Sequence, residues 1–301
     1  MRVAKNILAI LLCIVLVASS LLLVLTLLLR NRVFDASFYI DVIARPAYPL
    51  LVRQAILSDL ERQSSYVGVP IEVLEAGLDD ATLVMKQRQH VVNLAGFLNR
   101  EEDFVKPEYP SERFLEPLQS FMQDYAQSHQ LAFGAEQQAQ LREVAQDAAA
   151  IVQTHITLVD LSQFGDSTTF QRMRNLILSW SRQLILLLIP WLLSMLSLIL
   201  IYRNDWRAWL NRILISLWLA GSLLLVPSLV LERFQLHRRL ALETPYLLFA
   251  ISHLLHDLLQ YLIVWGLMLF FLSLVALLAI HMTKPIAKRQ ARPIYHERHA
   301  G

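Results

Sequence analysis

The sequence predicts an all-α membrane protein: a four-helix transmembrane region with an extracytoplasmic helical bundle inserted between the first and second spans. Three observations predict this class. The chain of 301 residues is 55% apolar and 17% charged, with a mean hydropathy of +0.44, so the apolar excess is gathered into segments rather than spread evenly. Four of those segments run for about 20 residues without an interior charge, enough to cross a hydrocarbon core of roughly 30 Å as helix. Between the first and second of them, apolar positions recur at three and four, the helical period, and not at two.

The first segment, Ile7 to Leu29, follows Arg2 and Lys5. A cleaved signal peptide has an apolar core of about 7–15 residues closed by small residues. Here the run continues for nine residues past Ala18, Ser19 and Ser20, so residues 1–29 read as a retained signal anchor and first span. Cys13 is the only cysteine. It excludes an intramolecular disulfide, and as it follows Leu12 it lacks the small neighbour of a lipid-attachment cysteine.

Residues 30–182 form the expected extracytoplasmic domain. Asp35 or Ser37 caps a short helix, Pro46 and Pro49 interrupt it, and a second helix runs from about Leu50 to Gln63. After a turn at Gly68, Pro70 opens one helix to about Asn99, with Ile71, Leu74, Leu78, Ala81, Met85, Val92, Ala95 and Leu98 as its inward stripe. A charged, proline-punctuated connector spans Arg100 to Pro110. The next helix, about Ser111 to His129, aligns Phe114, Leu118, Phe121 and Tyr125. After Gly134 the clearest stripe is Leu141, Val144, Ala145, Ala148, Ile151, Val152 and Val159, ended by Gly165; a final helix capped by Asp166 or Ser167 leads into the membrane.

The membrane domain covers residues 183–280, with spans at 183–202, 213–231 and 259–280, and a basic tail follows at 281–301. Between Asn31 and Arg182 there are 13 basic and 20 acidic residues, whereas the rest of the chain holds 14 and 5. An acidic soluble region argues against nucleic acid as a partner. Basic residues beside the spans place Arg2, Lys5, Arg203, Arg207, Arg212 and the tail inside, so both termini are expected in the cytoplasm, in a multi-pass protein of the cell membrane.

Ser37, Phe38 and Tyr39 after the first span, Tyr48 and Leu51 a turn later, and Val69-Pro70 opening a helix that reaches Asn93 and Leu98 together resemble a set of uncharacterised bacterial four-span membrane proteins. The resemblance covers order and spacing over most of the chain. It implies the same architecture and a bacterial cell-envelope setting, and it transfers no catalytic residue.

The sharpest polar cluster is His253, His256 and Asp257, which one helical turn brings to one face. Two imidazoles and a carboxylate are the ligand types of a zinc site or proton relay, with His237 as a further ligand. The rival reading is interfacial histidines bonded to headgroups or backbone. His90 and His155 have no partner nearby in sequence and read as structural. Asp79-Asp80 and Glu101-Glu102-Asp103 lack the spacing of a calcium loop and read as solvated acidic faces. Phosphate loops, nucleophile elbows and H-E-x-x-H are absent, and the first three spans carry no acidic, basic or histidine residue in their interiors. No cofactor is implied. The leading expectation is a non-enzymatic envelope protein, embedded in the lipid bilayer, that presents its bundle to a protein partner as assembly factor, accessory subunit or sensor. The alternatives are a membrane-surface metalloenzyme acting on lipid or envelope substrate, and a channel or transporter component lined by Ser194, Ser197, Ser216 and Ser222.

Overall fold

The computed structural model describes residues 2–99, 105–130, 133–157, 167–182, 184–235 and 244–282, and every regular element among them is helical. In chain order these are α1 (Arg2–Leu28, continued by a π turn over Leu29–Val33), α2 (Ala36–Ile43), α3 (Ala47–Val67), α4 (Ile71–Ala76), α5 (Asp80–Asn99) and α6 (Glu112–Ser128). There follow α7 (Ala135–Ile156), α8 (Thr168–Arg182), α9 (Leu184–Ile201), α10 (Trp206–Arg233) and α11 (Pro245–Met282). Four of them, α1, α9, α10 and α11, are long and apolar enough to cross a membrane and suggest a multi-pass membrane protein. Two compact units result: an apolar unit from the described parts of Met1–Leu23, Ile185–Pro227 and Ile263–Gly301, and a bundle unit from those of Val24–Leu184 and Ser228–Leu262.

In the apolar unit, Ala9, Leu16, Leu198 and Ile213 are buried, with Trp191, Met195, Tyr202 and Trp209 packed around them. Ser20 donates its hydroxyl to the Leu16 carbonyl at 2.7 Å and accepts the Trp191 indole N–H at 3.0 Å, which fixes α9 against α1. The α10 and α11 backbones approach closely at two glycines. A Cβ on Gly221 would stand 2.6 Å from the Phe270 nitrogen, and one on Gly266 would stand 2.9 Å from the Leu225 nitrogen. Glycine alone lets these backbones meet. Ser216 and Ser222 give their hydroxyls to carbonyls of their own helix four residues back, each at 2.9 Å.

The third span, expected at 213–231, lies inside the longer α10, so Arg207 and Arg212 belong to the helix and not to a connector. The turn is shorter, and the Asp205 carboxylate accepts the Ala208 N–H at 3.1 Å to start α10. The last span, expected at 259–280, is the C-terminal part of a helix of 38 residues. At 1.5 Å per residue such a helix is nearly twice as long as a hydrocarbon core is thick.

The bundle unit begins with α2, where Asp35 is the cap and its carboxylate accepts the Ser37 N–H at 2.9 Å. Pro46 precedes α3 and Pro49 sits in its first turn, where a missing N–H breaks no intrahelical bond, so this helix starts at Ala47 rather than near Leu50. Tyr48, Val52, Ile56 and Leu60 recur at four and are all buried, and Gly68 ends the helix at φ +73°. The α7 stripe is buried as the sequence indicates, through Leu141, Ala145, Ala148 and Val152, with Val144 and Ile151 packed at its edge. Val159 and Gly165 lie outside the described residues. This core also takes in Tyr246 and Ala250 from the start of α11.

One helix expected from Pro70 to Asn99 is instead two, and the break is built by identifiable groups. The Asp79 carboxylate accepts the Thr82 N–H at 3.2 Å and the Thr82 hydroxyl, which starts a new helix. The Tyr109 hydroxyl donates to the Gly77 carbonyl at 3.2 Å and accepts the Asp79 N–H at 3.0 Å. Gly77 lies against the Phe114 ring so closely that a Cβ would be 2.4 Å from Cδ1. Because the helical phase restarts, α5 buries Leu83, Gln87, His90, Val91, Leu94, Ala95 and Phe97, while Met85 is 56% and Val92 50% exposed.

The Thr82 hydroxyl, foremost among its donors, holds the Asp79 carboxyl below its usual value. A carboxyl depressed in the folded state stabilises above its unfolded pKa, about 3.8, and that contribution is lost as pH falls through the lower folded value. The stability gap between wild type and Asp79→Asn should therefore narrow as pH falls from about 5 to about 2, as read by thermal unfolding in detergent.

Candidate functional site

The residues singled out for metal chemistry lie on the part of α11 that belongs to the bundle unit. Helical spacing does put His253, His256 and Asp257 within one turn, but each engages a different partner. Asp257 accepts from Arg45 Nη2 at 2.8 Å, an ion pair that joins α11 to the turn between α2 and α3. His256 Nδ1 meets the Glu232 carboxylate at 2.9 Å, joining α11 to the end of α10. His253 Nδ1–H donates to the Phe249 carbonyl at 2.9 Å, and its ring lies 4.1 Å from that of Phe249.

Ligation requires lone pairs converging on one point. Here the carboxylate is neutralised by a guanidinium and one imidazole nitrogen is committed to backbone. Among the described residues no group of three His, Cys, Asp or Glu side chains is placed to hold a metal ion. His237 lies outside the described residues.

A second constellation has no counterpart in the sequence reading. His155, isolated in sequence, is 7% exposed on α7 and has polar partners on two other helices. Its Nε2 meets the Asp59 carboxylate of α3 at 2.8 Å, and its Nδ1 meets the Tyr246 hydroxyl of α11 at 3.2 Å. The carboxylate accepts Nε2–H, and in the neutral imidazole the Nδ1 lone pair accepts the tyrosine proton. Tyr246 is 4% exposed and the Asp59 carboxylate partly exposed, and the Asp59–His155–Tyr246 chain acts as a polar crosslink between α3, α7 and α11.

Tyr48 completes the layer. Its ring stands edge-on to Tyr246 with centroids 6.3 Å apart, and its hydroxyl is buried with no hydrogen-bond partner among the described residues. Burial, with a smaller contribution from Tyr246, raises its pKa so far that the phenol stays neutral. The cue to His155 was its register. It continues the Leu141, Ala145, Ala148, Val152 stripe, and a titratable residue at a core position needs partners that only the fold supplies.

His155→Leu should destabilise by about 2 kcal/mol, because it strands the buried Tyr246 hydroxyl and leaves the partly exposed Asp59 with Arg62 alone. Tyr48→Phe should be neutral or stabilise by up to about 1 kcal/mol, since it removes a buried hydroxyl that bonds to nothing. Thermal unfolding of the two variants checks both signs.

No protein-family model matches the chain, and no curated protein and no solved structure shows a match to it.

Proposed function

We propose that the protein is a non-enzymatic component of the bacterial cell envelope that presents its helical bundle to a protein partner, as an assembly factor, accessory subunit or sensor. The observation that carries this reading is the outer face of α5. Ala81, Met85, Arg88 and Val92 follow one another at four, three and four residues, the spacing of a helix-packing seam, and all are exposed. A stripe with that period, left over once the opposite face has filled the core, is the surface an amphipathic partner helix covers. The separate engagement of His253, His256 and Asp257 favours this reading over a metalloenzyme.

Orientation belongs to the same proposal. The basic residues Lys5, Arg203, Arg207 and Arg212 lie at the ends of α1, α9 and α10. The excess of positive charge at cytoplasmic span ends supports cytoplasmic termini and an extracytoplasmic bundle.

A photo-crosslinking residue placed at Met85 or Val92 in native membranes should give the same discrete protein adduct from both positions. Gln138, exposed on α7, is the control. Met85→Glu with Val92→Glu should abolish an adduct formed from Arg88 while leaving the melting temperature nearly unchanged, because both sites are exposed. Adducts no stronger than those from Gln138, or adducts only with lipid, would sink the proposal.

A further inference from the structure

Along the apolar unit, α1 and α10 leave an open groove of about 400 Å³. Ile10, Ile14, Val17 and Leu21 line it from α1, with Ile215 and Leu219 from α10. Its α1 wall, twelve residues from Ile10 to Leu21, rises about 16 Å end to end at 1.5 Å per step, close to the depth of one leaflet of a roughly 30 Å hydrocarbon core. The walls are apolar, yet Arg212 also lines the groove.

That arginine is one of two cations gathered on a single ring. Arg212 Cζ and Lys5 Nζ each lie 4.6 Å from the Tyr202 ring centroid, so the two charges are at most twice that distance apart. The Tyr202 hydroxyl donates to Asn6 Oδ1 at 3.3 Å, which holds the ring in place. A polar recess of about 230 Å³ adjoins the ring, and Lys5, Arg203 and Asp205 line it. Asp205, the carboxylate on its rim, accepts the Ala208 N–H at the start of α10. Among the described residues neither Lys5 nor Arg212 has an ion pair with a carboxylate.

Two like charges on one ring repel, and the ring returns only about 0.5–1 kcal/mol to each at exposed sites. An anion that accepts from both relieves the repulsion through charge-assisted hydrogen bonds. An apolar groove one leaflet deep, with Arg212 in its lining and Lys5 on the same tyrosine ring as that arginine, has the charge and length of a lipid with a phosphate headgroup. We propose that this groove binds one anionic phospholipid, its acyl chain along α1 and α10 and its phosphate between Lys5 and Arg212.

The test is native mass spectrometry of the full chain, extracted in mild detergent and exposed to equal amounts of phosphatidylglycerol and phosphatidylcholine. Wild type should retain one phosphatidylglycerol in preference to phosphatidylcholine. Lys5→Gln, an exposed change at a helix end, and Lys5→Gln with Arg212→Gln should lower that preference stepwise, by about tenfold for the pair. Ala18→Trp, which fills the groove, should remove the bound lipid while both cations remain. Melting temperatures within a few degrees of wild type show that the variants are folded.

Glycerol phosphate, a headgroup without chains, should not compete. Competition by it would overturn the acyl part of the proposal and leave a free-phosphate site. Unchanged phosphatidylglycerol retention in the double variant, or a groove occupied by a second copy of the chain with no lipid bound, would overturn the proposal outright.

Discussion

Gly221→Leu is expected to destabilise the apolar unit by about 3 kcal/mol, the upper part of the range for overpacking, because backbone rather than a side chain stands in the way. The obstacles are the Phe270 nitrogen at 2.6 Å and the Gly266 carbonyl oxygen at 2.9 Å from a Cβ at that position. A side-chain neighbour can change rotamer, whereas these atoms move only if α10 and α11 separate. Gly221→Ala should already show part of the effect, and Gly266→Ala should behave alike because its Cβ would meet Leu225 at 2.9 Å. Leu223→Ala, two residues on at a position 49% exposed, is the control and should cost little. Thermal unfolding in detergent ranks the four; equal stability of Gly221→Leu and Leu223→Ala would show that the helices do not meet there.

The second large effect lies at the break between α4 and α5. Gly77→Ala should destabilise the bundle by about 2–3 kcal/mol, since its Cβ would fall 2.4 Å from Phe114 Cδ1 and Phe114 is fully buried. The glycine's φ is ordinary here, so the cause is the ring and not the backbone. A double-mutant cycle separates the two. Phe114→Leu alone should cost about 1–2 kcal/mol as a large-to-small core change, but joined to Gly77→Ala it should recover part of the loss, with a coupling above about 1 kcal/mol. Strict additivity would mean that the clash relaxes elsewhere.

Patterns of hydropathy made the helical class and the four apolar segments legible, since length and charge-free composition are local properties. The α7 stripe and the Asp35 cap were legible for the same reason. What the sequence concealed are phase and partnership. The helix expected from Pro70 to Asn99 has an apolar repeat that reads continuously through Gly77, and the break that Asp79 caps is held by Tyr109, from within the next connector, and Phe114, from the helix after it. Met85 and Val92 consequently moved from the expected core to the surface. His253, His256 and Asp257 were rightly placed on one helical turn, but their partners Glu232 and Arg45 come from other helices, and spacing along α11 could not reveal them. His155 shows the same gap, being paired with Asp59 and Tyr246 across some ninety residues in either direction.

The recruitment of Tyr246 and Ala250 into the bundle core has a consequence for biosynthesis. Until α11 has left the ribosome, the face of α3 that carries Tyr48 lacks the aromatic side chains that cover it, and His155 lacks its tyrosine. Closing so long a loop is a late event for a chain, because its entropy is lost before the contact forms. The bundle thus reaches its finished core only after α11 has been delivered, so that a chain stopped before Pro245 would leave a bare apolar face.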